Sequence, residues 1–351
     1  MIKTILRLQN MPGIGSASIL ELLRNGCTAR CGVLTFSDIS DMNQTRIGRM
    51  ISDGKLTLSD WDKSCASADM ILKHCHNADI DIMTCCDADF PSNLLALKRY
   101  PPLLYIKGNR KILNTGKSAA IVGTREPTGL AKQMTEVFSR RLGDDGYVII
   151  SGLARGCDSA AHAAAAERDN PTIAVLGHGL IKDIYPPENR MLAHKIIETG
   201  GALISEYPPT ASVSSFRLVR RDELQAGLSG GVICMESKQG GGSLHAVRHA
   251  VNMNKPVGIF DHNAAALFLH DPDYAAADQS AGLNMLINES DAEISLLFSV
   301  DSILMFEKRM QEASRCRSSI PEYSASGYRL RKSMTGEGST QEIQLNFLDT
   351  P

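Results

Sequence analysis

Between residues 118 and 261 the chain repeats one unit: a short, largely apolar run that halts at a small or acidic residue. Ala119-Ala120-Ile121-Val122 halts at Gly123, and Tyr147-Val148-Ile149-Ile150 halts at Ser151-Gly152. Thr172-Ile173-Ala174-Val175-Leu176 halts at Gly177, and Ala202-Leu203-Ile204 at Ser205-Glu206. Val232-Ile233-Cys234-Met235 halts at Glu236, and Val257-Gly258-Ile259-Phe260 at Asp261. Each of the first five is followed by a stretch of helical character. Strands apolar on both faces and separated by helices form a parallel sheet covered on both sides. The expected fold class is therefore α/β: a doubly wound, mostly parallel, Rossmann-like sheet over residues 87–262. Such sheets bind ligands beyond the carboxyl ends of their strands. Those ends carry Gly123, Ser151, Gly177, Ser205 and Glu236.

The flanks read differently. Residues 1–86 are expected to form a small, all-helical domain. Within it, Pro12-Gly13-Ile14-Gly15-Ser16 precedes an apolar helix pattern at Ile19, Leu22 and Leu23. The glycines give a tight turn and Ser16 is the expected cap, the outline of a helix-hairpin-helix. A plain turn between packed helices is the alternative. Tyr100-Pro101-Pro102 forbids helix and predicts an extended entry to a strand at 103–106. Residues 263–351 are expected to be a short, partly disordered C-terminal region. One helix is predicted over 294–306. Beyond it, residues 308–332 hold seven basic and two acidic side chains, net +5, and predict a flexible basic tail. The last residues include Gln344, Leu345, Phe347 and Leu348. Their spacing suggests a peptide for the bacterial sliding clamp over 344–348, or a segment that packs back on its own sheet.

Composition narrows the partners. The formal net charge is −2, so nucleic-acid binding must use a local basic patch. Aromatic residues are 5% of the chain, too few for an extended base-stacking platform. Nine cysteines without framework spacing suit a reducing, cytoplasmic setting. Cys75, Cys85 and Cys86 lie near His74 and His76, but no CxxC pair supports zinc, so no metal and no cofactor is expected. No apolar run is long enough to span a bilayer, and no membrane is expected among the partners.

Three loops at strand ends carry the candidate chemistry. In the first, Gly123 and Thr124 bring backbone close to a ligand and Arg125 offers a forked donor to phosphate. In the second, Ser151, Gly152, Arg155 and Gly156 open a helix whose amides point at an anion. In the third, Gly240, Gly241, Gly242 and Ser243 leave bare amides and a hydroxyl before another helix. Arg217, Arg220 and Arg221 add a basic run that suits a groove tracking a nucleic-acid backbone. A solvated charge run is the alternative for these arginines.

The runs Ala120-Ile121-Val122-Gly123-Thr124-Arg125 and Ser151-Gly152-Leu153-Ala154-Arg155-Gly156-Cys157-Asp158-Ser159-Ala160-Ala161-His162 resemble the DprA/Smf DNA-processing family. So do Tyr185-Pro186-Pro187-Glu188-Asn189, Ser205-Glu206-Tyr207-Pro208-Pro209 and Gly227-Leu228-Ser229. The resemblance covers about residues 87–260. It implies a cytoplasmic homodimer that binds single-stranded DNA, protects it and loads the RecA recombinase. The chain departs from the family twice. Many members read Arg-Asn-Arg where this chain has Arg221-Asp222-Glu223, an acid in place of a base. A C-terminal winged helix, often present in the family, is not legible after about residue 265.

Two alternatives stand beside this reading. One is a nucleotide-ligand sensor of a defence system, which the acidic Asp222-Glu223 pair favours. The other is a nucleotide N-glycosidic hydrolase of the Lonely Guy type. In those enzymes a Glu stands three residues beyond the hydroxyl residue of the glycine loop. Here that position is Ala246, which offers no acid. No catalytic residue is therefore expected, and the chain is read as a binding protein rather than an enzyme.

Overall fold

The structure, a computed structural model, describes residues 1–25, 33–271, 273–276, 278, 280–289 and 293–318. Among the described residues five helices open the chain: α1 (Ile2–Gln9), α2 (Ser16–Arg24), α3 (Phe36–Ser40), α4 (Arg46–Ser52) and α5 (Leu58–Asn77). Thr35 with Asp38 and Thr57 with Asp60 form reciprocal capping boxes that start α3 and α5. Gly13 turns the chain between α1 and α2 with φ at +70°. The expected Ser16 cap is not formed: Gly15 is the N-cap, Ser16 is the first helical residue, and no side chain caps the helix.

The sheet then builds through β1 (Asp81–Thr84), β2 (Leu103–Gly108), β3 (Ser118–Val122), α6 (Gly129–Asp144), β4 (Val148–Ser151), α7 (Cys157–Ala166) and β5 (Thr172–Val175). It continues through α8 (Arg190–Glu198), β6 (Ala202–Ser205), α9 (Ser215–Leu228), β7 (Val232–Cys234), α10 (Ser243–Asn252) and β8 (Val257–Phe260). The described residues close with α11 (His262–Leu269), α12 (Asp273–Ala276), α13 (Ala281–Glu289), β9 (Ile294–Leu297) and α14 (Val300–Ser318). The nine strands lie in the order β1-β2-β6-β5-β4-β3-β7-β8-β9. The pairings from β6 through to β9 are parallel, whereas β1 with β2 and β2 with β6 are antiparallel. The α/β doubly wound expectation holds.

Two strands depart from the sequence reading. β1 falls inside the stretch expected to be helical, because Ile82 and Met83 bury against the sheet and pair with β2. β9 occupies the start of the predicted helix 294–306. Its backbone completes a parallel ladder on β8, and helix resumes only at Val300. The N-terminal helices share one core with the sheet: Ile5, Leu8, Ile19, Trp61 and Ile71 join Leu103, Tyr105, Ala174, Leu176 and Leu203. The start of the expected basic tail lies in α14. Residues 319–351, with the remaining tail and the clamp-like segment 344–348, lie outside the described residues.

Chain order reverses between β3 and β7. From β3 the chain steps outward through β4, β5 and β6, and α9 then carries it back to β7 on the other side of β3. A crevice at such a reversal, beyond the strand ends, is where this architecture places ligands. Lys255 fixes the end of the returning helix. It is buried, and its ammonium donates to Ala226 O, Gly227 O and Ser229 O at 2.9, 2.6 and 2.8 Å. Carbonyls at the end of a helix lack intrahelical donors, and Lys255 supplies one here, alongside the Ser229 hydroxyl that also donates to Ala226 O.

Candidate functional site

A cleft of about 420 Å³ opens at this reversal. Its walls come from the ends of β3 and β7, the loop after β4, and α9. The first loop enters as expected, with Gly123, Thr124 and Arg125 all lining the cleft. A Cβ on Gly123 would stand 2.4 Å from Cys157 Sγ, so this residue must be bare for the loops to meet. Thr124 N donates to Glu236 O at 2.9 Å, tying the first loop to the end of β7. Arg125 is exposed and has no ion-pair partner among the described residues.

Glu236 makes the join rigid. Its side chain is buried and accepts from Thr128 N at 2.8 Å and Thr128 Oγ1 at 2.7 Å. Burial pushes its carboxyl upward and the Thr128 bonds pull it back down. This carboxylate anchors the start of α6 rather than facing a ligand.

The second loop behaves differently from expectation. Gly152 N and Ala154 N donate to Asp158 Oδ2 at 3.2 and 3.3 Å. The anion held by this loop is thus the chain's own buried carboxylate. Ser151 is also internal, donating to Ile121 O at 2.6 Å as a cross-strand tie. Burial pushes the Asp158 carboxyl upward, while Arg221 and the amides oppose that. Gly156 holds φ at +75° and lets Cys157 N reach Thr124 O at 3.1 Å. Arg155 points outward and pairs with Glu188.

The third loop is open. Gly240 makes the turn with φ at +74°, and Gly241, Gly242 and Ser243 line the cleft. No side chain caps α10. Gly241 N is spent on Lys238 O at 2.9 Å, but the amides of Gly242 and Ser243 have no hydrogen-bond partner among the described residues. They sit at the positive end of a ten-residue helix. Lys238, beside them, pairs with Asp278 at 2.9 Å.

The three arginines of α9 separate. Arg217 lies over the Tyr207 ring at 5.0 Å and donates to Ser212 O. Arg220 is exposed and pairs with Glu223 at 3.1 Å. Arg221 turns inward: it is 7% exposed, donates to Val175 O at 3.2 Å and lies 3.6 Å from Asp158 Oδ2. A Cβ on Gly152 would stand 2.1 Å from its guanidinium, so that glycine exists to receive this arginine. Arg221 belongs to the wall of the cleft, not to its open face.

The sequence reading left Asp158, Asp222 and Gln225 out of the site, yet all three line the cleft. The signal was present in α9, where Arg221, Leu224, Gln225 and Leu228 recur at helical spacing and are all buried. His162 and His178 are buried, and burial holds both imidazoles below their ordinary range, His162 at about 3. Both are therefore neutral near pH 7. Among the described residues no group of three or more His, Cys, Asp or Glu side chains is placed to hold a metal ion. Cys75 is buried, Cys85 half-buried and Cys86 exposed. Among the described residues no helix is long and apolar enough to cross a membrane.

Comparison with known proteins extends this description. Protein Smf of Escherichia coli is 37% identical over 172 residues, which cover 49% of this chain and 46% of that protein. DNA processing protein DprA of Bacillus subtilis is 34% identical over 168 residues, covering 48% and 56%. The chain thus spans about half the length of these curated relatives. The crystal structure of DprA from Streptococcus pneumoniae matches with a TM-score of 0.68 at 27% identity, covering 87% of this chain and 97% of that one. DNA processing protein A of Helicobacter pylori matches with a TM-score of 0.55 at 27% identity, covering 66% and 96%. A family model for DNA recombination-mediator protein A matches residues 81–307, from the first strand of the sheet to the helix beyond the last. Because that match takes in every strand and all three loops at the reversal, the chain belongs to the DNA recombination-mediator protein A family, the DprA/Smf proteins.

Proposed function

We propose that the protein binds single-stranded DNA at the carboxyl edge of the sheet. One observation carries this reading: the unpartnered amides of Gly242 and Ser243 at the start of α10 and the unpaired, exposed Arg125 line the same cleft. An amide pair and a guanidinium around one crevice suit a phosphate. Arg155, Arg217 and Arg220 extend the basic path outside the cleft. Arg155 and Arg220 sit in surface ion pairs, which exchange readily for a phosphate, and Arg217 is held by the Tyr207 ring and Ser212 O. The Helicobacter pylori relative has a single-stranded DNA binding mode, which supports the same ligand here.

In this reading the cleft binds and does not cleave. Ala246 lines it where a glycosidic hydrolase would carry an acid, and the buried His162 and His178 are not among the residues that line it. The held strand then passes to the RecA recombinase, the step implied by a recombination mediator. An unchanged rate of RecA nucleation on strand pre-bound by the protein would remove that step. A homodimer is part of the proposal, supported by the exposed apolar trio Leu267, Phe268 and Leu269 on α11. A monomer mass in sedimentation at micromolar concentration would remove it.

Fluorescence anisotropy of a labelled thymine 20-mer tests the central step. Affinity should fall steeply between 50 and 200 mM salt, since each phosphate contact releases counterions. Arg125→Ala should cost roughly 1–3 kcal/mol of binding, as a lost charge-assisted contact does, with an unchanged melting midpoint. Affinity that is flat with salt would contradict the electrostatic site.

A further inference from the structure

The cleft is polar in the electrostatic sense. On the α10 side stand the open amides of Gly242 and Ser243. On the α9 side stand Asp222 and Gln225, with Asp158 behind them. Its volume of about 420 Å³ lies within the ~300–1,000 Å³ range of small-ligand pockets. That is room for one nucleotide of a strand rather than for the strand itself. A phosphate is drawn to the open amides and to Arg125, while the α9 wall sets two carboxylates against the single guanidinium of Arg221 that they share and disfavours it. The base of that nucleotide then faces α9.

The α9 wall presents acceptors. Asp222 Oδ1 accepts from Gln225 Nε2 at 3.2 Å and lies 3.6 Å from Arg221 Nε, which leaves Oδ2 to the cleft. Gln225 is 1% exposed, and the same bond fixes which way its amide points. Its Oε1 has no hydrogen-bond partner although it is buried and its side chain lines the cleft. A buried acceptor without a donor costs free energy that a ligand can return. Base edges differ in what they can return. Guanine presents two adjacent N–H donors, N1–H and the N2 amino group. Adenine and cytosine present one amino group beside a ring acceptor. Thymine presents its single N–H between two carbonyl oxygens, which this wall repels.

We propose that the α9 wall is a base-reading subsite selective for guanine, in which Asp222 accepts from the base edge and Gln225 is the positioning residue for its carboxylate. This rests on the single-stranded DNA reading above. It also accounts for an acid in the Arg221-Asp222-Glu223 run, since with Oδ1 held by Gln225 a carboxylate still turns an acceptor to the cleft where an amide would turn its NH2 donor. Burial pushes the Asp222 carboxyl up to about 7, with Asp158 adding to the rise and Arg221 and Arg125 opposing it. The acceptor is therefore fully charged only above neutrality.

The test is competition anisotropy with the full chain at pH 8, using a thymine 15-mer and the same strand with one central guanine, hypoxanthine, adenine or cytosine. The guanine strand should bind about tenfold tighter than all-thymine. Hypoxanthine lacks the N2 amino group and should fall between them. Asp222→Asn is nearly isosteric and removes a buried charge, so it should fold, bind all-thymine at least as well, and lose the guanine gain. Gln225→Leu should move the pH at which the gain appears upward, because Asp222 loses a donor to its charged form. Equal binding of all five strands by the wild type overturns the selectivity and leaves the DNA-binding reading standing. A guanine gain that survives Asp222→Asn also overturns it. Failure of every strand to bind overturns the DNA-binding reading instead.

Discussion

Arg221→Ala is expected to cost about 3–5 kcal/mol of folding stability, the range for breaking a buried ion pair by removing one partner. The reason lies in Asp158. Its carboxylate is 5% exposed, and Arg221 is the cation beside it at 3.6 Å. Without the arginine, Val175 O loses a donor, and the space over Gly152 that was shaped for a guanidinium empties. Denaturant unfolding read by circular dichroism measures the loss. Arg125→Ala serves as the contrast, because its side chain is exposed and should alter binding alone. A variant Arg221→Ala that unfolds like the wild type but shows a salt slope reduced by one phosphate would reverse the assignment. It would make Arg221 a DNA contact, as the sequence suggested.

Gly156→Ala is the second large effect, at about 3 kcal/mol or more. Gly156 combines φ of +75° with ψ of −124°, a backbone that side chains rarely adopt. Its Cβ would also stand 2.3 Å from Thr124 O, a backbone atom that has nowhere to retreat. Relief of that clash must break the Cys157 N to Thr124 O bond and splay the first loop from the second. Stability and strand affinity should therefore fall together, unlike in Arg125→Ala, where only affinity falls. Differential scanning calorimetry with a parallel anisotropy titration separates the two. A melting midpoint within about 1 °C of wild type would show that the loops are not held together here.

The central strands were legible because a parallel sheet buries both faces, so each strand is an uninterrupted apolar run that no surface helix imitates. The edges obey no such rule. β1 opens on Asp81 and closes on Thr84, with only Ile82 and Met83 to mark it. β9 is half-exposed, and Ile294-Ser295-Leu296-Leu297 fits helix as well as strand until β8 supplies a partner. Register on a neighbour decides such segments, and that is a long-range fact.

The site was legible as a set of loops but not as a set of roles. Glycines and arginines at strand ends marked where a ligand goes. They did not show that Asp158 already fills the second loop, because its carboxylate returns four to six residues along the chain to meet those amides. Arg217, Arg220 and Arg221 are equivalent as composition. Helical phase distinguishes them: Arg221 shares its stripe with Leu224, Gln225 and Leu228, so it turns inward while Arg220 stays on the surface.

The position of the bound strand on the sheet edge is the central claim to test. Single-stranded DNA carrying 4-thiothymine at successive positions, cross-linked to the full chain by light and mapped by mass spectrometry, reads that location directly. Cross-links should concentrate at residues 123–125, along α9 at 215–222, and at 238–243 around the start of α10. Cross-links confined to the N-terminal helices, with the cleft unmarked, would contradict it.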